Sequence, residues 1–333
     1  VSAAHTALRA HRFEALAPGP RLIVTGAVHG NEVAGTRGIE RVLGEIERGE
    51  IRIVRGAVTF VPVCNPLAHA QGTRIGQRNL NRRLQPTATP QDFEDRVANV
   101  LTRWLAEHEV LLDLHSFSSP GQPFVMRGPA DNTGALEPFR HARAENELVA
   151  HLGVQRVVEG WMPVYAAGVA ARRARGLSPG ALQEDPSYGV GTTEWMRSQG
   201  GYGVTLECGQ HEDPAAPAVA WHAIRQTLAL LGIAEGEGLV LQAPDPRQRP
   251  FECLRLTEVV DRHAEGDCFA RPWTSFDTLA EGELIGVRAD GTELRAPAAG
   301  RIVFPHAGAL PGHEWYYLAQ ASERPLQPGA AGR

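Results

Sequence analysis

The chain contains no lysine: all 33 of its basic residues are arginine, set against 38 acidic ones. A Schiff-base lysine, a Ser-Lys dyad and a Walker-type phosphate lysine are therefore excluded, and any cationic contact to a substrate must come from arginine or a metal. Cysteine is nearly as scarce. Cys64, Cys208, Cys253 and Cys268 show no Cys-x-x-Cys spacing, which argues against a zinc ribbon, a redox pair or a disulfide framework and makes a reducing cytoplasm the default expectation. No apolar run approaches the roughly 18 residues that a membrane-spanning helix needs. The opening segment VSAAHTALRAHRFEALAPGP carries charges where a secretory signal would be continuously apolar. The chain does not begin with Met, which leaves room for a preceding segment. A formal net charge of -5 gives no support to a nucleic-acid partner, and the small run Arg172, Arg173, Arg175 reads as solvated surface.

What is present is enough apolar residue, 43% of 333, to bury a substantial core in one large unit plus a smaller one. From about residue 20 to 232, strand-like runs (RLIVTGAV, AVTFVPV, EVLLDLHS, YGVTLEC) alternate with amphipathic segments around Ile39 to Glu47, Asp92 to Glu107 and AVAWHAIRQTLALLG. Phe93, Val97, Leu101, Trp104 and Leu105 recur at helical spacing. This order predicts an α/β unit with a largely parallel sheet flanked by helices. Residues 233 to 250, rich in Gly, Glu, Pro and Arg, read as a linker. Beyond them, short strands separated by turn signals predict a small all-β module. The expected division is a catalytic α/β domain over 1–235 and a β-rich C-terminal domain over 236–333.

Three of the predicted strands end in residues with ligand or acid/base chemistry: His29 and Glu32 after the first, His115 after VLLDL, and Glu207 after GVTL. Sites in open α/β sheets form at the carboxyl ends of strands, so positions far apart in sequence can converge there. Two histidines and one carboxylate make a catalytic zinc set with a fourth position left for water, beside which a further Glu can act as general base. Taken alone, His29 and Glu32 are equally well explained as a helix cap. Asp113 and His115 stand at i and i+2, on one face of an apolar strand, so Asp113 is a candidate partner behind the ligands or a satisfied core hydrogen bond. In GTRIGQRNLNRRL, the residues Arg74, Asn81 and Arg82 form either a carboxylate clamp or a solvated basic loop. Cys208 points opposite to Glu207 by alternation and reads as a buried small residue. The remaining histidines read as surface or structural, with only His211 and Glu212 close enough to Glu207 in sequence to reach the same place.

The segments GAVHGNEVAG, NLNR, DLHS and TLECG, in this order, resemble the succinylglutamate desuccinylase and aspartoacylase family, a branch of the zinc carboxypeptidase fold. The resemblance runs from about residue 20 to 322. It implies one Zn2+ bound by His29, Glu32 and His115, with Glu207 as general base and then acid. It further implies that Arg74 polarises the scissile carbonyl and that Asn81 and Arg82 hold a substrate carboxylate. Arg197 resembles an arginine that contacts a substrate carboxylate, and Tyr316 a substrate-contacting tyrosine, with Tyr317 as its alternative. The implied activity is hydrolysis of a small anionic N-acyl amino acid of the N-acetylaspartate or N-succinylglutamate kind. A metallocarboxypeptidase acting on short peptides is the first rival, and a catalytically silent metal-binding protein of the same fold is the second. A homo-oligomer is left open.

Overall fold

A computed structural model describes residues 7–174, 185–242 and 250–326. Its central feature is an eleven-stranded sheet. From edge to edge the strands are His11–Glu14, Ala57–Val61, Arg21–Gly26, Val110–Phe117, Tyr202–Gln210, Phe124–Met126, Arg156–Glu159, Glu252–Asp261, Glu314–Ala321, Gly300–Val303 and Thr278–Leu279. The four strands expected from the apolar runs are neighbours and pair in parallel. Every residue of Ala57–Val61 and of Val110–Phe117 is buried, because helices cover both faces of this part of the sheet.

Alternation sorts the side chains into two cores. Leu22, Val24, Leu112, Leu114, Val204 and Leu206 pack on one face with Ile39, Val42, Ile224 and Leu228 from the helices Val33–Glu47 and Ala216–Leu230. Ile23, Leu111 and Val61 pack on the other with Val97, Leu101 and Leu105 of the helix Phe93–Ala106. That helix starts where the sequence pattern says it should, since the Asp92 carboxylate accepts from the Asp95 N–H at 2.7 Å. The first two helices touch at Gly38, where a Cβ would stand 2.6 Å from that of Ala220. Any larger residue there would force them apart.

The described residues after the linker, 250–326, form strands and no helix, as their turn spacing predicts, and four of these strands extend the same sheet. Glu252–Asp261 pairs in parallel with Arg156–Glu159 and antiparallel with Glu314–Ala321. A separate three-stranded sheet of Cys268–Phe269, Leu284–Val287 and Glu293–Arg295 stands beside it. The predicted linker begins as a strand, Ala234–Gly236, paired antiparallel with Ile51–Ile53, and its residues 243–249 lie outside the described ones. Arg172 corrects the reading of its run as solvated surface. It is 4% exposed and makes a bidentate pair with Asp261 at 2.8 and 2.7 Å; Arg173 is exposed, and Arg175 lies outside the described residues. Among the described residues no helix is long and apolar enough to cross a membrane.

Candidate metal centre and active-site cavity

At the carboxyl end of Arg21–Gly26 the chain turns through Ala27, whose φ of 45° is left-handed, a conformation that costs energy in a residue with a Cβ. The turn carries His29 to Glu32 over the edge of the sheet. Gly30 is needed there for closeness, since a Cβ on it would meet the Ala68 carbonyl carbon at 2.1 Å. Glu32 is the N-cap residue of the helix Val33–Glu47, yet its side chain makes no capping hydrogen bond. This decides between the two readings of the pair. The Glu32 carboxylate instead accepts from Arg74 Nη1 at 2.7 Å, from His115 Nδ1 at 2.8 Å and from the Ser116 N–H at 3.2 Å.

His115 lies on the next parallel strand, in register with Glu207 on the strand after it. Three histidine and carboxylate side chains thereby meet: one donor atom from each of His29, Glu32 and His115 lies within 4.8 Å of the others, and all three residues are buried. The rest of each ring is spoken for. His29 Nε2 faces Asn79 Oδ1 at 3.1 Å, and because that oxygen also accepts the Asn81 N–H at 2.9 Å it acts as acceptor to both. The His29 proton is therefore on Nε2, and the Nδ1 lone pair is free. That Nδ1 stands 2.8 Å from Glu32 Oε1 but makes no hydrogen bond. His115 Nε2 lies 2.8 Å from Asp113 Oδ2, and Asp113 is itself held by Thr25 Oγ1 at 2.6 Å and by the Thr192 hydroxyl.

Electrostatics follow from this burial. Desolvation, reinforced by the charge of Arg74, pushes His29 down to about 4, so its imidazole is neutral. His115 differs: burial works against its charged form, but the Asp113 and Glu32 carboxylates overcome it and hold the ring well above the usual histidine range. Burial would raise Glu32, and the two histidines pull it well below the ordinary carboxylate value. Glu207 has no such support. Desolvation, opposed by His115 and reinforced by Glu32, pushes it up to about 8, and its Oε2 is buried without a hydrogen-bond partner.

The His29 Nδ1 lone pair, the Glu32 carboxylate and the His115 Nδ1 that faces it, with the other ring nitrogens tied to Asn79 and Asp113, fit a divalent ion of the zinc kind, which would take the place of the proton on His115 Nδ1. The unpartnered His29 Nδ1 is the observation behind that fit: the protein alone leaves a buried acceptor unsatisfied, and an ion at this point would satisfy it.

The centre opens into a cavity of about 570 Å³. Arg74, Asn81, Arg82 and Glu207 line it with His29 and His115, so these sequence-predicted residues are brought together. Arg82 is pinned over the Trp161 ring at 4.7 Å, with Nη1 donating to the Asn81 carbonyl at 2.9 Å. Arg197 also lines the cavity, but its donors are committed: Nε to Glu145 at 3.2 Å, Nη1 to Glu137 at 2.8 Å and Glu194 at 3.3 Å, Nη2 to the Gly203 carbonyl at 2.8 Å. It braces a wall where the sequence reading had it meeting a substrate. Tyr316 is corrected outright, for it packs with Trp315 and Phe269 in the core of the C-terminal module, and Tyr317 lines the cavity instead. His211 reaches the cavity through a 2.9 Å bond between Nδ1 and the Ser116 hydroxyl, and His306, read from sequence as surface or structural, lines it too.

Asn79, Trp161 and Glu314 were missed. Asn79 carried a signal, since the first Asn of NLNR stands two residues before Asn81; nothing local distinguishes Trp161 or Glu314 from ordinary core and strand residues. Cys208 is fully buried on the opposite face from Glu207, and burial raises its thiol well above the usual range.

Residues 18–121, which contain all three candidate ligands, match the family model described as the succinylglutamate desuccinylase/aspartoacylase catalytic domain. No curated protein matches the sequence. Among solved structures, the chain is similar to the product-bound ectoine utilization protein EutE (DoeB) from Ruegeria pomeroyi, at 19% identity and a TM-score of 0.68 over 94% of this chain and 88% of that one. A succinylglutamate desuccinylase/aspartoacylase from Rhodobacter sphaeroides gives 17% identity and a TM-score of 0.67 over 95% and 90%. The succinylglutamate desuccinylase of Vibrio cholerae gives 16% and 0.66 over 94% and 90%. These likenesses establish the fold across nearly the whole length, and residues 18–121 are similar in sequence to the catalytic domain of the succinylglutamate desuccinylase/aspartoacylase family.

Proposed function

We propose that the protein is a zinc-dependent amidohydrolase that removes the acyl group from a small N-acyl amino acid, releasing a carboxylic acid and a free amine. The observation that carries this reading is Glu207: a buried carboxyl with an unpartnered oxygen, beside three potential metal ligands and open to one cavity. A protein that only bound a metal would have no use for it, because burying a carboxyl without a partner costs stability.

His29, Glu32 and His115 are the residues that would hold zinc, which when bound supplies an acidified water, with a pKa lowered toward about 7, and a Lewis-acid pole for the amide carbonyl. The remaining chemistry belongs to the chain. In its ionised form Glu207 takes the proton from the attacking water on Oε2, and burial favours its keeping that proton until the leaving nitrogen accepts it. Arg74 is half exposed and bound through Nη1 to Glu32, so its other N–H groups are available to the developing oxyanion. Arg82, fixed on Trp161, holds a substrate carboxylate with Asn81 beside it, and this selects which amide reaches Glu207. N-acetylaspartate, N-succinylglutamate and N-acetylated diamino acids all present a carboxylate near an amide, in keeping with the family name.

The test is a metal analysis of the purified protein joined to a hydrolysis panel of such amides. Zinc near one per chain is expected, with a fall in turnover of about 10²- to 10⁴-fold for Glu207→Ala. Absence of zinc, undiminished hydrolysis by Glu207→Ala, or activity confined to dipeptides would each defeat the proposal.

A further inference from the structure

The cavity wall contributed by the strand Glu314–Ala321 carries a charge that the mechanism does not use. Glu314 lines the cavity, and its carboxylate accepts no hydrogen bond from any described side chain. Its nearest cation is Arg82, with Nη2 at 3.8 Å from Oε1, too far for a hydrogen bond. Two other guanidiniums are near enough for their charge to reach it, and both have partners: Arg172 is held bidentate by Asp261, which is the register partner of Glu314 across the two strands, and Arg74 donates through Nη1 to Glu32. Arg82 for its part is stacked on Trp161 and spends Nη1 on the Asn81 carbonyl. The wall therefore presents one guanidinium and one carboxylate side by side, each short of hydrogen-bond partners.

Such a pair complements a group that bears a carboxylate and an ammonium on the same carbon. From this juxtaposition we infer that Arg82 and Glu314 together recognise the free α-amino acid head of the substrate. The hydrolysed amide then lies on the side-chain nitrogen: the substrate class is an α,ω-diamino acid acylated at its far amine. The acyl C–N bond breaks, the hydroxyl of water goes to the acyl carbon, and the proton held by Glu207 goes to the released amine. A second carboxylate in place of the ammonium would face Glu314 and be repelled, so the same pair discriminates against dicarboxylates. This assignment of substrate class rests on the deacylase reading.

The test compares Nδ-acetylornithine with the same molecule lacking its α-amino group, by calorimetric titration of the parent protein and of Glu314→Gln. A charge-assisted hydrogen bond of ordinary strength predicts that the parent binds the amino-bearing ligand about tenfold or more tightly than the truncated one. In Glu314→Gln that ratio collapses to about threefold or less, while circular dichroism and Tm stay those of the parent. Equal binding of the two ligands by the parent, binding of neither, or an undiminished ratio in Glu314→Gln overturns the inference. Hydrolysis is followed on the same ligands and on N-acetylaspartate. Selective binding without hydrolysis of any amide defeats the deacylase reading and leaves the amino-acid site standing; hydrolysis of N-acetylaspartate in preference to Nδ-acetylornithine defeats the site and leaves the deacylase.

Discussion

Arg82 and Arg197 line one cavity, both largely buried and both placed by tertiary contacts on its wall. Around Arg197 stand three carboxylates, from Glu137, Glu145 and Glu194, and a backbone carbonyl. Around Arg82 stand an aromatic face, one carbonyl and a carboxylate beyond bonding distance. The first is a structural brace, since four of its five N–H groups are already bonded to protein, leaving a single Nη2 N–H. The second has donors to spare. Residue type and location were the same in both cases, and what separates them is unfilled hydrogen-bonding capacity. The same contrast sets Glu207, with an orphaned oxygen, apart from Glu145, whose two oxygens accept from Gly128, Arg197 and Gly203.

The comparison breaks first at the brace. Arg197→Ala leaves the buried Glu145 and the part-buried Glu137 and Glu194 without their cation and is expected to destabilise the fold by about 3–5 kcal/mol, read as a fall in the denaturant midpoint. A change below about 1 kcal/mol would mean that the network is not structural. Next comes Asp113→Asn, which removes the charge behind His115 Nε2 and should weaken metal affinity by about 10- to 100-fold in a chelator competition. Arg82→Lys substitutes a point charge for a planar fork. It should raise KM by about tenfold with kcat and Tm far less affected; a loss of stability like that of Arg197→Ala would erase the distinction between the two arginines.

The smallest effect expected is a pH dependence in the brace. Burial, only partly offset by Arg197, pushes Glu137 up to about 7. A carboxyl raised in the folded state contributes stability that is full below its unfolded value near 4.5 and is lost as pH rises through about 7. The parent Tm should therefore decline over that interval more than the Tm of Glu137→Gln. Parallel curves for the two proteins would remove Glu137 as the cause.

Much of this arrangement was legible beforehand. The four central strands read as largely apolar runs because both their faces are covered, and the polar alternation of Asp113 with His115 marked the face on which the candidate ligands gather. Other features were closed to inspection of the chain. The partners of Arg197 come from positions 137, 145 and 194, and no local pattern at any of them announces an ion pair. Tyr316 and Tyr317 could not be told apart because the pairing of Glu252–Asp261 with Glu314–Ala321 shifts register between Leu256 and Glu258 and again between Val260 and Asp261. Each such irregularity moves the face that a strand residue presents.

By itself, then, the amino-acid sequence determined the kinds of chemistry available and the strands that carry them. It holds no lysine and no paired cysteines, and it ends its apolar strands in His29, Glu32, His115 and Glu207, because strand identity depends on local alternation and burial. Only the tertiary structure decided which of those polar groups is satisfied and which is left open. Hydrogen-bond saturation is a property of neighbours contributed by distant segments, so it took the folded sheet to make Arg197 a brace and to leave Arg82 with open donors and Glu207 with an unpartnered oxygen.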